Sequence, residues 1–153
     1  MRKITATIIV MLFTIMANAQ MDDRYFTIGS NYAIDKDNNF VLNAVAGAGI
    51  TYNGFDISIN AEYVNFEDSY LSYFAQLGYA LEPIDKLYII PQLKWGMIDR
   101  DSQGTALYFG VGTEARYHLG MLFVSLVPSI DKRPDIGNSD YRFNLHFKLG
   151  INL

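Results

Sequence analysis

The run Phe55-Asp56-Ile57-Ser58-Ile59-Asn60-Ala61-Glu62-Tyr63 alternates without a break: odd positions are apolar or aromatic, and even positions are polar. Tyr141, Phe143, Leu145, Phe147, Leu149, Ile151 and Leu153 repeat the pattern against Arg142, Asn144, His146, Lys148, Gly150 and Asn152. A period of two places one side-chain set on each face of an extended strand, and it does not make an amphipathic helix. Whatever fold forms must therefore offer an apolar medium to one face of its strands and a polar one to the other. Half of the 153 residues are hydrophobic, yet mean hydropathy is only +0.08. Averaging over two opposite faces produces that combination. A bundle of membrane helices, with apolar runs of about 20 residues, does not.

The alternation divides the chain into eight segments, about 24–34, 39–52, 55–66, 70–81, 87–98, 105–118, 121–130 and 141–153. Each is long enough for a tilted strand to cross a bilayer, which takes about 9–11 residues, and longer than the usual globular strand of about 5–6. The connections alternate as well. Asn53-Gly54, Glu82–Lys86 and a tight turn near Leu119-Gly120 are short. Asp35–Asn38, Glu67–Ser69, Asp99–Gly104 and Asp131–Asp140 are mostly longer and rich in charge. Asn-Gly is the strongest two-residue hairpin signal, because both residues accept positive φ. With an even strand count, the short turns and both ends of the sheet share one side. The uncharged stretch Asn38–Phe55 is no membrane helix, since Gly47, Gly49 and Asn53-Gly54 interrupt it.

The first 19 residues read as an export leader. Arg2 and Lys3 precede the apolar stretch Ile4–Met16, and Ala17-Asn18-Ala19 supplies the small-x-small pattern for cleavage after Ala19. Residues 20–153 then form a single β domain. With no Cys, disulfide scaffolds, thiolate zinc sites and thiol nucleophiles are excluded. Twelve basic against 16 acidic residues argue against nucleic acid as a partner.

Three features say which face is dry. The polar face is filled with small or uncharged residues such as Thr27, Gly29, Asn43, Gly47, Ser58, Asn60, Gln76 and Gly112, not the Lys and Glu of a water-washed exterior. The apolar face carries Tyr32, Phe40, Tyr52, Phe55, Tyr63, Tyr79, Trp95, Tyr117 and Tyr141, many near strand ends, as two interfacial aromatic girdles would require. The sequence also stops inside its last strand. That segment, His146-Phe147-Lys148-Leu149-Gly150-Ile151-Asn152-Leu153, resembles the carboxy-terminal signal of outer-membrane barrels, with Leu153 where Phe is more usual. In architecture the chain resembles the small eight-stranded outer-membrane β-barrel family of OmpA/OmpX type. The resemblance implies an all-β, antiparallel up-and-down transmembrane barrel in a Gram-negative outer membrane. It also implies insertion by the barrel-assembly machinery, contact with outer-membrane lipid and lipopolysaccharide, a monomeric state and no cofactor.

Eight strands enclose a lumen only wide enough for side chains, so ionised groups inside it must pair. The interior candidates are the acids Asp56, Glu62 and Glu114 with the bases Lys94, Arg116, Arg142 and Lys148. Bases of the last strand are expected to reach across to Glu62 or Glu114. His118 and His146 are read as interior hydrogen-bonding residues. Neither is followed at the second position by serine, which a His-Ser hydrolase pair on such a barrel would need, and two isolated histidines give no metal spacing. Asp35/Asp37 and Asp99/Asp101 read as solvated turns before Ca²⁺ ligands. Pro91 and Pro128 fall inside strands, where a proline cannot donate to the ladder; bulges are the expected remedy, and local strand separation that opens the side of the barrel to lipid is the alternative.

The leading expectation is a non-enzymatic outer-membrane barrel with a structural or surface-interaction role and a packed polar interior. A lipid- or small-solute-handling barrel or narrow gated pore is the first alternative. The second is a soluble periplasmic lipocalin-like protein whose apolar face lines an enclosed ligand.

Overall fold

The computed structural model describes residues 23–34, 40–64, 70–100, 104–133 and 141–153. The leader and its cleavage site, the acidic pair Asp35/Asp37 and Asp101 lie outside the described residues. Nine strand segments follow in chain order: β1 Asp23–Ile34, β2 Phe40–Tyr52, β3 Phe55–Val64, β4 Tyr70–Tyr79, β5 Leu81–Ile84, β6 Leu87–Arg100, β7 Gly104–Leu119, β8 Leu122–Lys132 and β9 Tyr141–Asn152. β4 and β5 are one stave interrupted at Ala80, so there are eight staves. Every pairing is antiparallel between neighbours in sequence, and β9 returns to pair with β1. No edge is left open, which removes the row of unpaired backbone groups that an open sheet exposes.

The register fixes the shape of the closed sheet. One row of partners runs Ile34–Phe143–Ile130–Val111–Leu93–Leu77–Ile57–Ile50 and re-enters β1 at Arg24, ten residues from its start. A stagger of that size tilts the strands by about 40° to the barrel axis. The same row carries a belt of apolar side chains around the outside. Phe143, Ile130, Val111, Leu93, Leu77 and Ile57 all project outward and are exposed.

Outside and inside follow the alternation. Phe109 is 67% exposed and Leu93 57%, whereas Asn31 and His146 have no exposed surface. A soluble barrel with an enclosed apolar pocket has the opposite arrangement, so the lipocalin-like reading is overturned. The interior is not purely polar, however. Tyr25, Tyr70, Phe74, Tyr108 and Phe123 point inward, and Tyr70, Phe74, Ile98 and Tyr108 form an apolar cluster at the end of the long connections. Their positions share parity with Gln76, Glu114 and Ser125, which is the local signal that identifies them.

All three short turns consist of two residues. Asn53 (φ 49°) and Gly54 (φ 82°) both lie in the left-handed region that the Asn-Gly pair tolerates. Gly120-Met121 joins β7 to β8. The connection expected over Glu82–Lys86 is shorter than the sequence suggested: β5 continues the hairpin, and only Asp85-Lys86 turn. There the Glu82 carboxylate accepts the Lys86 backbone N–H at 3.1 Å. At the same end the Leu153 N–H bonds the Arg24 carbonyl at 2.8 Å, so the first and last strands close beside the turns. β8 also runs further than expected and carries Asp131 within the strand, not in a loop.

Packing against the interior depends on glycine at several tight places, Gly150 among them. A Cβ on Gly150 would fall within the ring of Phe123. Gly150→Val is therefore expected to displace Phe123 and destabilise the barrel by about 1–3 kcal/mol. The midpoint of urea unfolding in detergent measures this, and an unchanged midpoint would show that the ring moves freely.

Candidate functional site: the barrel interior

Successive inward side chains on one strand lie two residues apart, and the strand tilt brings different strands to a common depth. The interior consequently sorts into layers.

Nearest the short turns, Arg116 of β7 is the hub. Its Nε donates to Glu114 Oε1 at 2.7 Å, Nη1 to Asp56 Oδ2 at 2.9 Å and Nη2 to the Tyr25 hydroxyl at 3.2 Å. The Tyr25 hydroxyl donates in turn to Asp56 Oδ1 at 2.8 Å, and Thr51 Oγ1 donates to Asp56 Oδ2 at 3.1 Å. The guanidinium carbon sits 4.4 Å from the Tyr25 ring centroid and 4.8 Å from that of Phe123. Aromatic faces stabilise a desolvated cation, and a planar five-donor fork can serve two carboxylates at once. His118 lies at the mouth, stacked on Phe123 at 5.3 Å and 3.3 Å from Asn152 Nδ2. A cavity of about 20 Å³ beside it, lined by Arg116, His118, Tyr88 and Asn152 among others, has room for about one water.

The middle layer is built on amides. Lys148 Nζ crosses to Asn60 Oδ1 at 3.3 Å and Gln76 Oε1 at 3.2 Å, and it lies within 4 Å of no carboxylate among the described residues. The expectation that this base reaches an acid is therefore corrected for Lys148. His146 is buried beside Phe74, with ring centroids 5.9 Å apart. Neither of its ring nitrogens has a hydrogen-bond partner within bonding distance among the described residues, contrary to the sequence reading.

Toward the long connections, Glu62 accepts from Asn31 Nδ2 at 2.8 Å and from Asn43 Nδ2, and it lies 3.8 Å from Arg142 Nη2. Lys94 pairs with Asp131 at 2.7 Å, with its ammonium 4.5 Å from the Phe74 ring centroid. Asn144 donates to the same Asp131 oxygen at 2.9 Å. Arg142 and Arg133 both donate to the Tyr70 hydroxyl, at 2.7 and 3.0 Å. Sequence reasoning missed Asp131, Arg133 and Tyr70; it placed Tyr25 inward but gave it no partner. Asp131 was legible by parity, since Phe123, Ser125, Val127 and Ser129 lead to it two residues at a time.

The aromatic candidates on the other face are exposed. Tyr52, Phe55, Tyr79 and Tyr117 ring the short-turn end, where Phe55 and Tyr79 meet edge to face at 5.3 Å. Tyr32, Tyr63, Trp95 and Tyr141 lie toward the other end. The side chain of Phe40 is outside the described residues. No group of three or more metal-ligating side chains occurs among the described residues.

This arrangement, a closed eight-stave cylinder with charges inside and apolar residues outside, can be set beside solved structures. The N-terminal β-barrel domain of Pseudomonas aeruginosa OprF superposes with a TM-score of 0.64 at 10% identity, over 87% of this chain and 98% of that one. Neisserial surface protein A gives 0.62 at 13% identity, over 86% and 96%. The fold is that of the small eight-stranded outer-membrane β-barrels. A de novo designed transmembrane β-barrel of this fold also matches, with a TM-score of 0.56 at 13% identity, over 88% and 98% of the two chains. The fold is thus reached by a designed chain as well, and it assigns no activity by itself. No family model and no curated protein matches the sequence.

Proposed function

We propose that this chain is a non-enzymatic outer-membrane barrel that acts as a structural or surface-interaction protein, with a closed lumen. One observation carries the reading: a predominantly apolar exterior surrounds an interior whose ion pairs span it from wall to wall. A lipid-facing exterior needs no protein to cover it, and a lumen bridged by Arg116, Lys94 and Glu62 leaves no continuous water path. The leader at 1–19 directs export, the barrel-assembly machinery inserts the folded sheet, and lipopolysaccharide and phospholipid surround it as a monomer. The two aromatic rings then lie at the two headgroup levels. The outer-membrane location draws support from the fold shared with OprF and Neisserial surface protein A.

Leu93 tests the exterior. It is 57% exposed in the aliphatic belt between the two aromatic rings. Leu93→Lys is expected to cost about 2–4 kcal/mol in lipid, as a cation at the bilayer midplane does. Urea titration of the refolded barrel in phospholipid vesicles measures it. A neutral or stabilising result would mean that this face meets water. Planar-bilayer recording tests the lumen: the closed reading expects no steady unitary current, and sustained single-channel conductance would overturn it.

A further inference from the structure

Two prolines interrupt the ladder on either side of one hairpin. Between β4 and β6 the register holds at Gly78–Gln92 and resumes at Leu81–Ile89, leaving Tyr79 opposite Pro91 without pairing. Between β7 and β8 it holds at Gly112–Ser129 and resumes at Ala115–Leu126, leaving Thr113 opposite Pro128. Pro91 and Thr113 are themselves partners across β6 and β7, which pair without interruption. Tyr79, Pro91, Thr113 and Pro128 therefore occupy one row of the sheet, close to the row of the aliphatic belt. All four face outward.

The direction of each missing donor is fixed. The Pro91 carbonyl lies 2.8 Å from where a Cβ on Gly78 would be, and that of Pro128 lies 2.7 Å from the same point on Gly112. In an antiparallel sheet a residue's C=O and N–H point to the same neighbour. The absent N–H of Pro91 is thus the one the Tyr79 carbonyl would have met, and that of Pro128 the one due to Thr113. Just inside each gap lies a buried polar atom with no hydrogen-bond partner: Gln92 Nε2 next to Pro91, and Ser129 Oγ next to Pro128. A bulge would have absorbed the prolines by shifting the register, but the register is the same on both sides of each gap.

We propose that the β6–β7 hairpin is a hinged panel, with seams at Tyr79/Pro91 and Thr113/Pro128 that open within the sheet and let interior water reach the outward face at Thr113. Water there satisfies the Thr113 carbonyl and the Ser129 hydroxyl together, which the protein alone does not. The opening suits a water molecule or a lipid hydroxyl. It does not suit an acyl chain, because the buried side chains of Glu114 and Val127 stand next to it on the inner face. The inference rests on the outer-membrane reading for its lipid side.

The cysteine-free sequence gives a clean test. Single variants Thr113→Cys and Val111→Cys, two residues apart on the outward face of β7, are refolded into phospholipid vesicles. Each is exposed to a small water-soluble thiosulfonate. The Thr113→Cys thiol is expected to react measurably and the Val111→Cys thiol not to. Adding Pro128→Val, which restores one ladder hydrogen bond, should slow the Thr113→Cys reaction about fivefold. Hydrogen exchange of the Thr113→Cys protein reports folding independently of labelling. Lack of reaction at both positions, or a rate unchanged by Pro128→Val, overturns the panel. Equal fast reaction at both positions overturns the lipid-facing exterior on which it stands.

Discussion

Arg116→Met is expected to lower the stability of the refolded barrel by about 3–5 kcal/mol, the usual cost of removing one partner from a buried ionic cluster. Two carboxylates depend on this guanidinium, Asp56 at 2.9 Å and Glu114 at 2.7 Å, and both are almost wholly buried. Methionine fills the space between the Tyr25 and Phe123 rings but offers no donor, so two ionised acids would remain in a low-dielectric layer. The decisive control is the combination Arg116→Met, Asp56→Asn, Glu114→Gln. It removes the stranded charges and should recover most of the loss, because a buried ion pair adds little net stability over neutral groups of similar shape. Urea titration in detergent, read with the heat-induced shift in gel mobility, measures both. Equal loss in the single and triple variants would mean that Arg116 acts through packing alone.

Glu62 forms the corresponding hub at the other end, and Glu62→Ala should cost a comparable ~3–5 kcal/mol. The substitution takes the acceptor from Asn31, from Asn43 and from the Arg142 side chain that lies 3.8 Å away. Glu62→Gln keeps one carbonyl oxygen for the two asparagines and loses only the charge. It is expected to retain up to about half of the difference, since hydrogen bonds to a neutral acceptor are worth about half those to a charged one. If Glu62→Gln and Glu62→Ala unfold at the same urea concentration, the charge facing Arg142 is what matters and the asparagines contribute little.

Much of the fold was legible in local pattern. Phe55–Tyr63 and Tyr141–Leu153 announce strands by their period alone, and Asn53-Gly54 announces its turn. The inward parity of Asp56, Glu62, Lys94, Glu114, Arg116, Arg142 and Lys148 was legible for the same reason. Where the reading stopped short, a long-range contact had overridden a local signal. The charged run after Ile130 looked like a loop, but Asp131 and Lys132 pair in register with Arg142 and Tyr141 of β9. Glu82-Pro83 looked like a turn, but Leu81 and Ile84 pair with β6 and confine the turn to two residues.

The sequence by itself determined which residues form strands, which side chains share a face and which face is apolar, because a period of two is written into each strand separately. Only the tertiary structure decided which inward residues meet. Neighbours across the lumen are set by the ten-residue stagger with which the sheet closes, and that stagger is a property of all eight staves together. So Arg116 serves Asp56 from the far wall, Lys94 takes Asp131, a residue the sequence reading put in a connection, and Lys148, expected to reach Glu62 or Glu114, ends on two amides. The same closure placed Pro91 and Pro128 on one row, where two separate breaks in the ladder flank a single hairpin.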